Sequence, residues 1–257
     1  MMSYRCQEDI SILNELIVLA EKYSEGRLLQ FQSLVSAYQY RLLYCIFRRY
    51  IPKGMKVLDW GVGNGHFSYF LVRSGYKTFG FSLENFPVGV ELADAQYHFL
   101  QGSVKDPIRL PFKDDSFAAV SSVGVLEHVR QTGGNDEESM KEIARILKPG
   151  GVFICYHLPN RYSLIEAVAR CLPHKYHHQS YYTASTIVAL VKRAKLQLVE
   201  MKLYGFLPRN IWRYAPGCMK RMKVLALAWD ILDMFLAYPF RFLCQNYVFV
   251  VRKPVDL

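Results

Sequence analysis

A long apolar run is missing from this chain. In the apolar segment at 206–245 of its 257 residues, uncharged stretches reach only six or seven residues, against the roughly 20 that a membrane-spanning helix needs. Paired cysteines are missing as well. Cys6, Cys45, Cys155, Cys171, Cys218 and Cys244 lie far apart, which excludes the close spacings of a zinc site or a dithiol redox motif and reads as reduced thiols inside a cell. Glu8 and Asp9 stand where a secretory signal needs a basic start and an apolar run, so the expected location is the cytoplasm, including its membrane surface. There is no internal repeat and no low-complexity segment, which excludes solenoids and biased tails.

Acidic residues are scarce towards the end. Residues 1–160 hold 17 basic and 17 acidic side chains, whereas residues 161–257 hold 15 basic and only 5 acidic. The whole net charge of +10 therefore belongs to the last third. Such an imbalance points to an anionic partner: a phosphate group, an acidic glycan, a nucleic acid or a membrane surface. What is abundant is apolar and aromatic: 51% of residues are hydrophobic, with 18 Tyr and 16 Phe. A chain of this length and composition buries a full core and lines its pockets with rings.

Apolar residues at helical spacing predict two N-terminal helices, over 8–23 and 27–50, parted at Gly26. From Met55 the pattern changes to strand 55–60, helix 65–73, strand 76–81, helix 86–93, strands 97–101 and 117–122, helix 136–147 and strand 151–157. That alternation is the signature of a parallel sheet with crossover helices. Asn135 is placed to cap the helix at 136, with Glu138 placed to bond back, and Pro149-Gly150-Gly151 stops it. Beyond Thr183, a helix to about Ala194, a strand at 196–205 and a last strand at 246–252 complete the sheet. The last two strands are separated by an insertion at 206–245.

The chemistry is concentrated in "KVLDWGVGNGHFSYFL" at 56–71, a strand ending in Asp59 followed by Gly61, Gly63, Gly65 and a helix. Glycines there let the backbone turn sharply and approach a ligand, and the helix start behind them offers unpaired amides. The spacing is not the G-x-G-x-x-G of nicotinamide-binding folds. "LPFKDDSFAAV" at 110–120, "VLEHV" at 125–129 and "LKPGGVFI" at 147–154 follow in order.

Over about residues 50–157 these four motifs resemble the class I methyltransferases, in particular the type 11 methyltransferase domain. The resemblance implies an α/β fold with a Rossmann-like, mostly parallel seven-stranded sheet and helices on both faces. Residues 1–50 would be an N-terminal helical extension, 51–257 the methyltransferase domain, and 206–245 a basic cap inserted before the last strand. It implies S-adenosyl-L-methionine as cofactor, with Asp59 and the glycine loop at its methionine end. The family's ribose-binding acid falls here on Ser82, with Leu83 and Glu84 beside it. Ser103 stands where the family shows Gly-Asp near the adenine, leaving the Val104 amide to recognise the ring. Val123, at the end of the fourth strand, also belongs to this set. Ala118, where the family reads Phe-Asp, is a change expected at the sheet edge.

For catalysis the resemblance points to Glu127 and His128, which should open on the crevice at the carboxyl ends of the strands. Methyl transfer to a hydroxyl needs a base. His128 fits that role, His157 in "CYHLPN" is the second candidate, and His177 and His178 form a polar aromatic loop facing the acceptor. Some relatives bind magnesium through an acid three residues before the Glu-His pair. Gly124 stands there, so no metal is expected.

In the cap, Leu225, Trp229, Leu232, Leu236 and Leu243 fall on one helical face and Lys223, Asp230, Asp233 and Arg241 on another, with Pro239 as the stop. The expected activity is O-methylation of an anionic small-molecule, sugar or lipid-linked acceptor, with peripheral contact to an anionic membrane. Two alternatives stand beside it. One is an RNA methyltransferase, for which no basic stripe interleaved with aromatics is visible. The other is a degenerate, non-catalytic partner protein, suggested by Ser82 and Ser103.

Overall fold

The computed structural model describes residues 7–22, 28–83, 97–172 and 178–255. Strands β1 (Lys56–Trp60), β2 (Lys77–Ser82), β3 (Tyr97–Gln101), β4 (Phe117–Val123), β5 (Leu147–Pro159), β6 (Gln197–Tyr204) and β7 (Asn246–Arg252) form one sheet in the order β3-β2-β1-β4-β5-β7-β6. The first five run parallel, and β7 lies antiparallel between β5 and β6. The order reverses between β1 and β4, so a crevice opens at their carboxyl ends.

Successive strand residues feed two cores, one on each face of the sheet. Val57, Ile154 and Val250 belong to one, and Leu58, Phe153 and Val251 to the other. This is why the interior strands β5 and β7 carry the unbroken apolar runs 152–156 and 247–251 rather than an alternating pattern. Helices α1 (Gln7–Lys22), α2 (Leu34–Ala37), α3 (Tyr40–Tyr50) and α4 (His66–Arg73) cover the first face. Helix α5 (Asp136–Ile146) covers the second, together with α7 (Ala184–Arg193). Helix α6 (Leu164–Cys171) follows β5, and the insertion holds α8 (Gly217–Lys220) and α9 (Lys223–Ala237). The N-terminal segment shares its core with the sheet, because Ile12, Phe31 and Phe47 pack in one cluster with Val57 and Tyr156.

Several expectations hold in detail and others do not. Asn135 caps α5 by accepting from the amides of Glu137 and Glu138, at 2.8 and 3.2 Å. Glu138 does not return the bond but pairs with Lys141 at 2.9 Å. A reciprocal box forms instead at α7, between Thr183 and Thr186. The single helix expected over 27–50 is broken. Leu28 takes a left-handed φ of 60° before one 3-10 turn, and extended Ser33 caps α2 by accepting from the Ser36 amide. A serine hydroxyl competes for backbone amides in this way, and the break lets the segment wrap the end of the sheet. Ala118 sits in β4, an interior strand, so its neighbours are β1 and β5 rather than an edge. The helix expected at 86–93 lies outside the described residues.

The largest departure is the cap. Helix α9 stops at Ala237, ahead of Pro239 as expected, and Leu225 and Trp229 pack on the core. Yet Asp233 is 6% exposed while Phe235 is 74% and Tyr238 88% exposed. The acids face inward because other elements supply their partners. Asp233 accepts the amides of Phe206 and Leu207, at 2.9 and 2.6 Å, and pairs with Arg209 at 3.1 Å. Asp230 pairs with Arg209 and, at 3.3 Å, with Arg41. Buried charges are tolerated only when paired in this manner. No helix among the described residues is long and apolar enough to cross a membrane.

Candidate functional site

The turn after β1 is made by glycines that must be glycines. Gly61, Gly63 and Gly65 have φ of 78°, 51° and 78°, a region that side chains resist. The Gly61 and Val62 amides both donate to the Phe81 carbonyl, at 2.8 and 3.1 Å, which binds the turn to β2. A Cβ at Gly61 would lie 2.4 Å from a Val125 methyl, so the turn touches the loop after β4. A Cβ at Gly63 would meet only the Gly61 carbonyl oxygen, at 3.9 Å, so this side of the turn is open. Gly65 opens α4 without a side-chain cap, leaving first-turn amides for a ligand.

Asp59 is 1% exposed, and its carboxylate accepts from the Ser68 hydroxyl at 2.7 Å. It pins the start of α4 behind the glycine turn. Burial raises its pKa to about 6 against the opposing pull of the Ser68 and Ser121 bonds. Along the neighbouring rim, Ser82 ends β2 opposite Gln101, and its carbonyl accepts from the Gly102 amide at 2.8 Å. Leu83 is half-buried there, and Ser103 and Val104 are exposed. The Ser103 hydroxyl accepts from the Lys105 amide at 3.2 Å. Val123 closes β4. Glu84 and His177 lie outside the described residues. A glycine cradle with an open side and a polar rim on β2 and β3 fits a nucleoside bearing an amino-acid tail.

The post-β4 turn holds the expected pair. Glu127 is 2% exposed, and its Oε2 has no hydrogen-bond partner. Burial raises its pKa to about 7. His128 is half-buried, with Nδ1 at 3.1 Å from Gln131 Oε1 and Nε2 at 3.9 Å from Glu127 Oε1. An amide oxygen only accepts, so Nδ1 carries the proton and Nε2 presents a lone pair. Burial lowers the His128 pKa against the supporting Gln131 bond. His178, held through Nδ1 by Glu166 at 3.1 Å, joins the pair. The ligand atoms of Glu127, His128 and His178 all lie within 4.8 Å of one another, a set able to hold a divalent ion that spacing along the chain had not suggested.

His157 is built differently. Its φ of 65° is left-handed, an outlier for a side-chain-bearing residue, at a bulge between Cys155 and Leu158. Tyr204 holds it: the Tyr204 hydroxyl accepts from the His157 amide and lies at the same 3.0 Å from Nδ1. Asn246 Nδ2, which can only donate, lies 3.4 Å from the same Nδ1, so Nδ1 accepts and Nε2 is the protonated nitrogen. Burial drives the His157 pKa down to about 3, so the ring is neutral and donates.

Sequence reasoning passed over the neighbours of His157. Tyr40 stacks on Phe31 at 5.1 Å and touches the rings of His66 and His157 at 4.7 and 5.3 Å. His66 is the first residue of α4, half-buried overall with both ring nitrogens enclosed and not hydrogen-bonded, and desolvation lowers its pKa to about 4. These residues come from the N-terminal segment, α4 and the end of β5. Only His66, next to the last glycine of the motif, carried a local signal.

Residues 58–155 match the family model for a methyltransferase domain. A ubiquinone biosynthesis O-methyltransferase of Xanthomonas axonopodis pv. citri is 29% identical over 206 residues, covering 74% of this chain and 81% of that protein. A sterol 24-C-methyltransferase of Gibberella zeae is 34% identical over 111 residues, 41% of this chain and 28% of that one. A probable tRNA methyltransferase 9B of Homo sapiens is 33% identical over 103 residues, 40% of this chain and 21% of its own length. The chain thus spans about a quarter of the latter two. Among solved structures, the 1,6-didemethyltoxoflavin-N1-methyltransferase of Burkholderia thailandensis, bound to 1,6-didemethyltoxoflavin and S-adenosylhomocysteine, superposes with a TM-score of 0.58. At 15% identity it covers 95% of this chain and 88% of that one, and shares the fold.

Proposed function

From a chain that belongs to the class I S-adenosylmethionine-dependent methyltransferases, we propose an O-methyltransferase whose acceptor is a hydroxyl on a lipid-linked or comparably amphipathic small molecule. The observation that carries it is the Glu127–His128 pair, with an imidazole lone pair at the mouth of the β1/β4 crevice. The glycine turn at 61–65, the rim of Ser82, Leu83, Ser103 and Val104, and Val123 would hold S-adenosyl-L-methionine. When bound, that cofactor supplies a methyl group activated on a sulfonium.

The residues of this chain do the rest. His128 Nε2 takes the proton of the acceptor hydroxyl, and the Glu127 carboxylate at 3.9 Å stabilises the imidazolium that results. Gln131 fixes the ring so that the correct nitrogen faces the crevice. His157, kept neutral and protonated at Nε2, donates to the acceptor oxygen and orients it. Tyr40, Phe31 and Tyr156 exclude water on that side. The lipid-linked acceptor is supported by the relatives named for ubiquinone and sterol chemistry and by the outward apolar face of α9.

The test is His128→Ala assayed for methyl transfer to fractionated cell extract. Turnover should fall about 100-fold or more with cofactor affinity unchanged. Retention of most of the activity would remove His128 as base, and label appearing in RNA rather than lipid would favour the second reading. That reading, a tRNA methyltransferase, draws on the tRNA-named relatives and the basic last third. It predicts RNA binding that weakens steeply with salt.

A further inference from the structure

The two acids of α9 point inward, and its apolar residues point out. Val224, Ile231, Phe235 and Tyr238 are exposed along one side of the helix, and Phe242 extends the same apolar surface beyond it. Lys220, half-buried, and Arg221 and Lys223, exposed, stand at the start of this ridge, where Arg221 pairs with Glu21, and exposed Arg241 stands at its end. Beneath the helix lies a cavity of about 250 Å³. Leu227, Ile231 and Met234 line it and are also exposed on the outer surface. At its inner end are Tyr204 and Asn246, the two side chains that contact His157 Nδ1, at 3.0 and 3.4 Å.

We propose that the outward face of α9 docks on an anionic phospholipid bilayer and that the cavity beneath it admits the lipid-linked acceptor from that bilayer towards His157. The inference rests on the methyltransferase reading for its purpose, but its first half stands on the surface alone. Three features select a bilayer over other occupants. An apolar ridge flanked by lysine and arginine matches an interfacial helix, whose rings enter the acyl boundary while the basic groups meet lipid phosphates. A second copy of the chain on a two-fold axis would set the same basic residues against each other. The cavity, moreover, opens on the ridge itself, where a molecule leaving a bilayer would arrive.

The test is vesicle flotation of the full chain without cofactor or acceptor. Vesicles of phosphatidylcholine are compared with vesicles containing about 30 mol% phosphatidylglycerol. The expected result is binding to the anionic vesicles, at least tenfold weaker on the neutral ones, and weakened by salt. Phe235→Ser with Tyr238→Ser, both surface changes, should reduce binding about tenfold or more while circular dichroism and thermal midpoint hold. Lys220→Glu with Lys223→Glu should abolish the preference for anionic lipid.

Equal binding to both vesicles, or none, overturns the proposal. So does a dimer in size exclusion that the Phe235 and Tyr238 changes convert to monomer, because the face is then a protein interface. For the cavity, dansyl-labelled farnesol should bind the wild type and lose at least tenfold in Leu227→Trp. Absence of farnesol binding overturns the uptake route. Because neither readout involves methyl transfer, failure here is distinct from failure of His128→Ala in the activity assay.

Discussion

At the scale of single residues, the turn after β1 concentrates the constraints. Gly61 combines a positive φ with a Val125 methyl 2.4 Å from where a Cβ would sit. Gly61→Ala should therefore weaken S-adenosyl-L-methionine binding at least tenfold by calorimetry and destabilise the fold by about 1–2 kcal/mol. An unchanged affinity would show that the cofactor does not touch this turn. His157 offers a complementary case. Its left-handed backbone is tied by one hydroxyl at two points, so Tyr204→Phe releases both the amide and Nδ1. The variant should lose methyl transfer through turnover while keeping its cofactor affinity, as single-turnover assays with saturating cofactor would show. The position of Glu127 beside His128, just after the fourth strand, was readable in the sequence. That His128 and His157 carry their protons on opposite nitrogens was not, because Gln131 and Tyr204 decide it.

Elements were legible where the signal was local. Asn135 and Thr183 each sit one residue before a helix, and each caps it. Asn135→Ala should lower stability by about 1 kcal/mol in chemical denaturation, with the methyl-transfer site intact. The segment at 27–50 shows the limit of periodicity: its apolar spacing is helical, and Ser33 interrupts it through a bond to an amide three residues on. In α9 the failure is of another kind. A helical wheel separates its leucines from its acids and says nothing of which side the protein occupies. Arg41 and Arg209, one of them 189 positions away from Asp230, turn the acids inward. Asp233→Ala would leave Arg209 buried beside a lost partner and two amides unpaired. A loss of about 3 kcal/mol or more is expected, read as a lower denaturation midpoint.

For the molecule as a whole, pH acts through groups buried in one body. His66 has its pKa lowered to about 4, so below the unfolded value of about 6.5 the unfolded chain binds a proton that the folded one refuses. Stability from this group is therefore lost as pH falls from about 6.5 towards 4. Asp59 has the opposite sign: its pKa is raised to about 6, so its neutral form favours folding below that value and the benefit is lost as pH rises through it. The two effects oppose each other in the same window, which flattens the wild-type profile. His66→Phe removes only the first, so the variant should gain on the wild type by up to about 2 kcal/mol between pH 7 and pH 5. Parallel melting curves for the two proteins across that range would contradict the desolvation of a neutral His66 ring.

The alternation of strands and helices, the glycine turn, the Asn135 cap and the place of Glu127 and His128 just after the fourth strand were determined by the sequence alone, since each depends on residues a few positions apart and on backbone rules that need no partner. Tertiary structure decided what depends on distant neighbours: the proton positions on two histidines, the aromatic cage that joins Tyr40, His66 and His157, the meeting of His178 with Glu127, and the side of α9 that faces solvent. Burial and charge pairing are properties of a neighbourhood, and a neighbourhood exists only once the chain has folded.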